Sequence, residues 1–276
     1  MNQETRAILS IAGSDPSGGA GIQADLKTLT MLGVYGCAAV TTITVQNTKG
    51  VTACHPLDPE LVHSQVVAVL SDLWVTHVKI GMIGSEAIGQ AIVRALHGFS
   101  GEVIYDPVLF TSVGQAVQST DSVAGIRLVA SRATLLTPNR KELEVLSGAP
   151  CATPDQALAA GRTLFAAFPN LQAVVVKGGH LEEARQEITD FLLLASSPEP
   201  HRQTHPRVPS ANTHGTGCTF ASALAALHQQ SGSYPEAFAR TVALMDTLIT
   251  RSASWRLGQG SGGLSHHLYG KSLTSS

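Results

Sequence analysis

Charge and cysteine are both scarce in this chain of 276 residues. Charged side chains make up only 14% of it, and the formal net charge is -2. No run of lysine and arginine could neutralise a row of phosphates, so nucleic acid is not expected as a partner. The four cysteines, at positions 37, 54, 151 and 218, lie far apart without a CxxC pair. This spacing predicts reduced thiols, with neither a disulfide framework nor a structural zinc site.

Long apolar runs are also absent. The longest are the size of a strand, such as 173–176 and 191–195, whereas a membrane helix needs roughly 20 apolar residues. The first six residues are polar and lack the pattern of a signal peptide. We therefore predict no membrane span and a cytoplasmic location.

What the sequence does contain is an alternation of strand-like and helix-like segments. Its hydrophobic fraction of 43% is enough for one substantial core, and we predict a single domain over residues 1–276. Short aliphatic runs predict buried strands at 7–11, 38–45, 76–80, 103–105, 134–136 and 173–176. Apolar residues three or four apart predict helices at 22–32, 60–73, 86–96, 122–131 and 155–168. This alternation is typical of an α/β fold with a mainly parallel sheet and helices on both faces.

The pattern changes after residue 177. Segments 187–194 and 204–208 predict two more strands, joined by the proline-rich stretch 196–206, so an antiparallel edge is expected there. Helices are predicted at 215–229 and 234–252. Ligands of such sheets bind beyond the carboxyl ends of the strands. Six residues that follow predicted strands are therefore expected to converge on one cleft: Ser14, Gln46, Gly81, Asp106, Asn139 and Gly178.

The strongest chemical signal is the segment 213–218, Thr-His-Gly-Thr-Gly-Cys, at the start of a predicted helix. Glycines let the backbone approach a ligand, and the free amides at a helix start attract phosphate oxygens. Gly215, Thr216 and Gly217 are therefore predicted to form an anion hole. The helix dipole is expected to lower the pKa of the Cys218 thiol, so that it could accept a proton. The alternative is that Cys218 is a small buried apolar residue.

A second glycine-rich segment, 13–21, joins the first predicted strand to the first helix. Its glycines do not follow the G-x-G-x-x-G spacing of dinucleotide-binding proteins, and no Walker lysine follows. The segment therefore predicts either close approach to a ligand or only tight packing of a helix on the sheet. Asp25, in the helix that follows, is expected to face the cleft and accept hydrogen bonds from a ligand amine.

Three further segments carry charged or amide side chains. Lys177 ends a strand before a glycine pair that includes Gly179, which predicts a nucleotide phosphate contact or only a solvated lysine. Asn139 and Glu142 lie three residues apart at a helix start, where they either face a ligand together or form a capping box. Asp106 follows a strand and is expected to hold Mg²⁺ through water, or only to start a turn.

Taken together, seven segments in order resemble the hydroxymethylpyrimidine/phosphomethylpyrimidine kinases, from about residue 7 to residue 267. They are GSDPSGGAGIQADLK (13–27), QNT (46–48), KIGM (79–82), DPV (106–108), TPN with Glu142 (137–142), KGGH (177–180) and HGTGC (214–218). The resemblance implies a ribokinase-like fold, a three-layer α/β/α sandwich, and usually a homodimer. It also implies two phosphoryl transfers from Mg-ATP in thiamine biosynthesis, first to hydroxymethylpyrimidine and then to its monophosphate.

The resemblance also implies roles for individual residues. Five are implied to hold the pyrimidine, with Gln46 reading its ring nitrogen and amino group: Gly13, Asp25, Gln46, Met82 and Val108. Three are implied to contact the nucleotide: Asn139, Lys177 and Gly179. Two are implied to organise magnesium and its waters: Asp106 and Glu142. Cys218 stands where most ribokinase-like enzymes have an aspartate base, and Gly215 to Gly217 would donate to the transferring phosphoryl group.

The chain departs from the family in one loop. After the segment 106–108 the family commonly carries Ala-Lys-Ser-Gly, whereas residues 110–114 contain no lysine. A missing cation is expected to weaken binding of the monophosphate in the second step. Two alternatives remain: a pyridoxal or pyridoxine kinase, which Gln46 and Met82 disfavour, and a non-catalytic pyrimidine sensor, which the intact Cys218 and Lys177 disfavour.

Overall fold

Strands and helices alternate along most of the chain. The computed structural model describes residues 5–109, 122–180 and 186–268. The strands are β1 (Ala7–Ser14), β2 (Tyr35–Asn47), β3 (Gly50–Pro56), β4 (Val75–Ile80), β5 (Glu102–Tyr105), β6 (Leu135–Leu136), β7 (Ala173–Val176), β8 (Glu187–Leu194) and β9 (Ser197–Pro206). The helices are α1 (Gly21–Met31), α2 (Pro59–Asp72), α3 (Glu86–Ala95), α4 (Ser122–Ala130), α5 (Arg140–Ser147), α6 (Pro154–Ala167), α7 (Thr216–Ser231) and α8 (Tyr234–Ser252).

These strands form one sheet in the order β3-β2-β1-β4-β5-β6-β7-β8-β9. The six strands from β2 to β7 in this order run parallel, while β3, β8 and β9 pair antiparallel. Leu9 of β1 pairs with Cys37 of β2 on one side and with Val78 of β4 on the other. The mainly parallel sheet predicted from the alternation of segments is confirmed.

Two apolar cores lie on opposite faces of the sheet. Residues of α2, α3, α4, α5 and α6 pack on one face, around side chains such as Ile80 and Leu136. Residues of α1, α7 and α8 pack on the other face, around Ile8 and Ile104. Alternate residues of the central strands enter opposite cores, as the two-residue period of a strand requires. The three-layer α/β/α architecture is therefore confirmed.

The strand order reverses beside β1. The chain runs from β1 outwards to β2 and β3, and then returns to β4 on the other side of β1. The helices that follow β1 and β3 lie on opposite faces, because α1 packs in one core and α2 in the other. A reversal of this kind leaves a crevice at the carboxyl ends of the two strands. The segments after β1 and β4 border it.

The sequence predictions are wrong at two edges of the sheet. Strand β9 begins at Ser197 and not near residue 204, and Leu194 of β8 pairs with Ser197 across a short turn. Proline is tolerated there because β9 is an edge strand with one unpaired side. Strand β3 was not predicted, although it pairs antiparallel with β2. Among the described residues, no helix is both long enough and apolar enough to cross a membrane.

Candidate active site

Two of the helices whose capping residues the structure describes start without a side-chain cap, and both start in the loops beside the crevice. In α2, α3, α5, α6 and α8 a side-chain oxygen accepts a hydrogen bond from the first turn. In α1 and α7 the capping positions are Ala20 and Gly215, and neither supplies such an oxygen. These two helix starts therefore lack a side-chain cap, although the Thr216 amide donates to the carbonyl oxygen of Thr213 at 3.3 Å and the Gly21 amide donates to the Cys218 thiol. Their positive dipole ends favour an anion.

Gly215 brings the start of α7 against the glycine-rich loop that follows β1. Its φ of 78° lies in the left-handed region that favours glycine. A Cβ on Gly215 would overlap with the carbonyl oxygen of Gly19, and a Cβ on Gly263 would lie 2.9 Å from the Cα of Gly19. Three backbone segments therefore meet at a junction that leaves no room for side chains at these positions.

Asp106 lies directly after β5, is 3% exposed and faces the same helix start. Its Oδ1 accepts hydrogen bonds from the Thr137 hydroxyl at 2.9 Å and from Nζ of Lys177 at 3.2 Å. Its Oδ2 would lie 3.1 Å from a Cβ on Gly217. Lys177 also lies over the ring of Phe220, 5.4 Å from its centroid. A carboxylate, an ammonium group and the start of α7 thus surround one space beyond the ends of β5 and β7.

Asn139 and Glu142 form the capping box of α5. Glu142 accepts a hydrogen bond from the amide of Asn139 at 2.8 Å, and Asn139 accepts one from the amide of Glu142 at 3.0 Å. The second oxygen of Glu142 accepts from the amide of Leu109 at 3.3 Å. Burial and the neighbouring charge of Asp106 raise the pKa of Glu142 to about 7, although Lys177 acts in the opposite direction.

The donor set of Asp106 and Glu142 fits magnesium better than a fully protein-bound metal. The described residues contain no group of three or more histidine, cysteine, aspartate or glutamate side chains that could hold a metal ion. Mg²⁺ usually keeps several waters and takes one or two carboxylates together with substrate phosphates. Burial and the like charge of Asp106 both disfavour the ionised form of Glu142, and a cation between the two carboxylates would offset this cost.

The Cys218 thiol is not activated in the way the sequence predicted. Burial raises its pKa to about 11, and the charges of Asp25 and Asp106 add to this effect. Lys79 and a hydrogen bond at Gly21 act in the opposite direction but are outweighed. The prediction of a lowered pKa was wrong, because desolvation exceeds the favourable effect of the helix start. At pH 7 roughly one thiol in 10⁴ is ionised.

Asp25 lies in an enclosed polar cluster beside Cys218. Both of its oxygens lie 2.9 Å from Nζ of Lys79, and both side chains are 0% exposed. The hydroxyl groups of Ser10 and Ser222 also donate to this carboxylate, at 2.6 and 2.8 Å. Protein donors therefore occupy the carboxylate that was expected to meet a ligand amine. Asp25 with Asp106 and Cys218 holds the pKa of Lys79 above its usual value despite burial.

Sequence reasoning assigned no role to Lys79, although a signal was present. The segment 75–80 reads as a buried strand, and a lysine inside such a strand needs a buried partner. That partner is 54 residues away in the chain. It could be identified only once β4 was known to lie beside β1 and α1 to pack over them.

Gln46 belongs to a second polar network, which joins the glycine-rich loop to the start of α7. Nε2 of His214 lies 2.8 Å from Oδ2 of Asp15 and 3.0 Å from the side-chain amide of Gln46. Asp15 also accepts from the amides of Gly19 and Ala20. Burial would raise the pKa of Asp15, but hydrogen bonds led by that of His214 lower it to about 2. Neither Asp15 nor His214 was predicted as a functional residue.

The remaining predicted residues border the crevice to different degrees. A Cβ on Gly13 would overlap with Cε of Met82, so these two residues are in contact. The amide of Val108 donates to the carbonyl oxygen of Asp106 at 2.8 Å, which places Val108 beside the same carboxylate. Gly179 lies in a short 3-10 turn and has open space on its Cβ side. The loop 110–114, in which a lysine is missing, lies outside the described residues.

Comparisons with known proteins show which proteins this chain resembles. The family model for phosphomethylpyrimidine kinase matches residues 15–265. A hydroxymethylpyrimidine/phosphomethylpyrimidine kinase of Salmonella typhimurium is 38% identical over 261 residues, which cover 94% of this chain and 96% of that protein.

Two solved structures share the fold. The ADP complex of Bacillus subtilis pyridoxal kinase has a TM-score of 0.82 at 29% identity, over 96% of this chain and 98% of that one. The phosphomethylpyrimidine kinase of Clostridium difficile 630 has a TM-score of 0.75 at 31% identity, over 90% of this chain and 99% of that one. The fold is thus similar to those of a pyridoxal kinase and a phosphomethylpyrimidine kinase, and the sequence matches favour the second.

Proposed function

The chain belongs to the phosphomethylpyrimidine kinase family, and from this membership we propose which of its residues perform the reaction. It phosphorylates hydroxymethylpyrimidine and then the resulting monophosphate in thiamine biosynthesis, with ATP as the phosphoryl donor. The observation that carries the assignment of residues is the convergence of an uncapped helix start with Asp106 and Lys177 beyond the ends of β5 and β7.

Phosphoryl transfer depends mainly on alignment and on stabilisation of charge. The amides of Gly215, Thr216 and Gly217 donate to the transferring group, in the position where α7 lacks a cap. Lys177 supplies a positive charge to the nucleotide phosphates and is 3.2 Å from Asp106 in the free chain. Asn139 uses its amide oxygen in the capping box, so its amide nitrogen remains to contact the nucleotide. Gly179 lets the nucleotide approach the turn after β7.

Asp106 and Glu142 hold magnesium, in part through its waters. The ion would supply positive charge that offsets the charge of the nucleotide phosphates. Because the pKa of Glu142 is near neutrality, this carboxyl is only partly ionised in the free chain at pH 7. A bound cation favours the ionised form. Magnesium and Glu142 ionisation are therefore expected to reinforce each other.

The pyrimidine lies on the other side of the α7 start, against Gln46, Met82, Gly13 and Val108. Gln46 supplies polar selectivity, and Met82 an adaptable apolar wall. Asp25 takes a different role from the direct contact that the resemblance implied. Its carboxylate lies 2.9 Å from the ammonium group of Lys79 and keeps that side chain charged and fixed beside Cys218.

Cys218 contacts the hydroxyl group that attacks phosphorus. Because its thiol is almost entirely protonated at pH 7, it acts as a hydrogen-bonding partner rather than as a preformed thiolate. A strong base is not required, since the hydroxyl gains little acidity before the bond to phosphorus forms in a loose transition state. Lys79 favours the thiolate, but a protonated thiol cannot take up a second proton, so the hydroxyl proton passes to an oxygen of the transferred phosphoryl group once the bond to phosphorus has formed.

Replacement of Cys218 by alanine tests this assignment. We expect kcat to fall roughly tenfold, less than the roughly 100-fold or more that a positioned general acid or base contributes, with little change in ATP affinity. The measurement is ADP release under steady state together with ATP binding by calorimetry. Unchanged turnover would remove Cys218 from the mechanism.

A pyridoxal kinase is the second candidate, because the Bacillus subtilis pyridoxal kinase structure is similar over nearly the whole chain. ADP release with pyridoxal, pyridoxine and hydroxymethylpyrimidine, compared at equal concentration, discriminates between them. We expect the highest kcat/KM for the pyrimidine. The homodimer and the cytoplasmic location remain predictions.

A further inference from the structure

We propose that His214 and Asp15 fix the orientation of the Gln46 amide, and that this orientation makes the site select an aminopyrimidine over the corresponding oxopyrimidine. The inference rests on the proposed function, in which Gln46 contacts the pyrimidine. It adds two positioning residues, which act through Gln46 and do not themselves contact the substrate.

The first step concerns the proton on His214. Its Nε2 lies 2.8 Å from Oδ2 of Asp15, a buried carboxylate that also accepts hydrogen bonds from two backbone amides. An ionised carboxylate can only accept hydrogen bonds, so Nε2 of His214 must carry a hydrogen. The low pKa of Asp15, about 2, supports the ionised form. Nε2 of His214 is therefore a donor, whatever the state of the other ring nitrogen.

The second step concerns the Gln46 amide. As placed, its Nε2 lies 3.0 Å from Nε2 of His214 and its Oε1 lies 3.2 Å from the Thr44 hydroxyl. The first contact opposes two N–H donors. Because the single hydrogen on Nε2 of His214 already bonds to Asp15 at 2.8 Å, Gln46 can share it only through Oε1, in a three-centre hydrogen bond. The Thr44 hydroxyl donates its single hydrogen to the carbonyl oxygen of Ser14 at 2.8 Å, so towards Gln46 it is an acceptor. Both ends of the amide require the opposite orientation, with Oε1 towards His214 and Nε2 towards Thr44.

The imidazole cannot easily turn away from this contact. It is 7% exposed, and a Cβ on Gly19 would overlap with its Cδ2. The backbone of His214 forms a bridge with Gly263, which lies against the same glycine-rich loop. The His214 ring is thus held by close backbone approach on one side and by Asp15 at its edge.

An amide fixed in this way distinguishes two kinds of pyrimidine edge. One hydrogen on Nε2 and one lone pair on Oε1 remain for a ligand. They match a ring nitrogen that accepts beside an amino group that donates, as in the aminopyrimidine substrate. An oxopyrimidine presents a ring N–H beside an oxygen, which is the reverse pattern. To bind it, Gln46 must rotate and lose its hydrogen bonds to both His214 and Thr44.

The test measures selectivity. We would determine kcat/KM of the full chain for hydroxymethylpyrimidine and for the analogue with an oxo group in place of the amino group, in the wild type, His214→Ala and His214→Gln. We expect the wild type to prefer the amino compound by at least about 100-fold, because the oxo compound leaves buried polar groups unpaired.

His214→Ala is expected to reduce that preference at least tenfold, with the KM for ATP unchanged. His214→Gln keeps an N–H donor near the position of Nε2 and is expected to restore most of it. His97→Ala, the same substitution at an exposed histidine, serves as the matched control and should keep the wild-type ratio. An unchanged ratio in His214→Ala, or a glutamine variant no better than alanine, would overturn the inference.

Thr44→Val provides a second route if His214→Ala does not fold. It removes the hydrogen-bond acceptor from the other end of the amide, and the same loss of selectivity is expected. If the wild type releases no ADP with hydroxymethylpyrimidine, the proposed function itself fails. If the wild type is active but neither variant changes the ratio, only the role of His214 and Asp15 fails.

Discussion

Two polar clusters lie at opposite ends of the parallel strands and differ in the number of charged side chains that they hold. At the amino ends, His77 bonds to His228 at 3.0 Å, and the hydroxyl groups of Tyr234 and Thr134 both donate to Glu102 at 2.6 Å. His228 stacks on Tyr234, with ring centroids 4.3 Å apart. We call these five residues the amino-end cluster. Its groups pair mainly with one another.

The carboxyl-end cluster consists of Asp25, Lys79, Asp106, Glu142 and Lys177. Here burial, together with the charge of Asp106, raises the pKa of Glu142, and the adjacent helix α7 starts without a side-chain cap. At the amino end Glu102 is held by two neutral hydroxyl groups, whereas at the carboxyl end three carboxylates and two ammonium groups lie beside the uncapped start of α7. The comparison teaches that a concentration of charges beside an uncapped helix start, rather than polarity alone, marks the proposed functional end of this sheet.

The largest expected effect is a difference in activity between alanine substitutions at the two ends of α7. Gly215 and Gly232 flank this helix, and both have a φ near 70 to 80°. Gly215→Ala would clash with the carbonyl oxygen of Gly19, whereas a Cβ on Gly232 meets nothing within 4 Å. We expect kcat/KM to fall at least about 100-fold in Gly215→Ala, because the phosphoryl-binding amides are displaced.

Gly232→Ala is the matched control. It should cost about 1 kcal/mol of stability through backbone strain and leave kcat/KM nearly unchanged. Steady-state ADP release and urea unfolding of both variants provide the measurement. Similar activity in the two variants would contradict the assignment of the α7 start to phosphate binding.

The second prediction compares the loss of one carboxylate at each end. Asp25→Ala leaves the buried charge of Lys79 without its partner and is expected to lower the free energy of unfolding by about 3–5 kcal/mol. Glu102→Ala leaves two neutral hydroxyl groups without their acceptor, at a cost of about 1–3 kcal/mol. Urea unfolding at pH 7 measures both. Equal losses would mean that Lys79 does not depend on Asp25 for its charge.

The third prediction concerns Glu142. Its folded pKa of about 7 lies above its ordinary value of 4.5, so the folded chain holds this proton more tightly than the unfolded chain. Ionisation of Glu142 therefore lowers stability as pH rises from about 4.5 to 7. Glu142→Gln keeps a side chain suited to the capping box.

The free energy of unfolding of Glu142→Gln is expected to exceed that of the wild type by about 1–3 kcal/mol at pH 7 but not at pH 4.5. The variant is also expected to lose activity. Urea unfolding at the two pH values measures the difference. A variant that is less stable than the wild type at pH 7 would show that the carboxylate contributes to the fold and not chiefly to the site.

The fourth prediction gives the opposite pH dependence at the amino end. Burial, with the charge of His228, lowers the pKa of His77 to about 4, below its ordinary 6.5. Its contribution to stability is complete above pH 6.5 and is lost as pH falls towards 4. His77→Gln should therefore reduce the stability lost between pH 6.5 and 4 by about 1–3 kcal/mol.

His266, whose pKa is also lowered to about 4 by burial, retains its own acid sensitivity in the His77→Gln variant. Some loss of stability on acidification should thus remain. If the unfolding free energy depended on pH in the same way in His77→Gln and in the wild type, the pKa of His77 would not differ between the folded and unfolded chain.

Local patterns in the sequence predicted the strands and helices well, because their apolar periods are decided over a few residues. The same holds for Asn139 and Glu142, where the capping box predicted as one alternative is present. The pKa of Cys218 could not be predicted in this way. Its helix position is local, but its burial and its neighbours Asp25, Lys79 and Asp106 depend on the packing of several elements.

The positioning network was also beyond local reasoning. His214 and Asp15 are 199 residues apart, and each belongs to a segment read for its glycines alone. Strand β9 was misplaced because its prolines suggested a loop, and only its edge position makes them acceptable. In each case the missing information was which segments lie next to each other.

The most direct test of the central claim is product analysis with ATP and each pyrimidine supplied separately. With hydroxymethylpyrimidine, the account predicts ADP and the monophosphate, followed by the diphosphate. With the monophosphate alone, it predicts ADP and the diphosphate. The KM for the monophosphate should be higher than that for hydroxymethylpyrimidine, because residues 110–114 contain no lysine. Failure to release ADP with either compound would contradict the account.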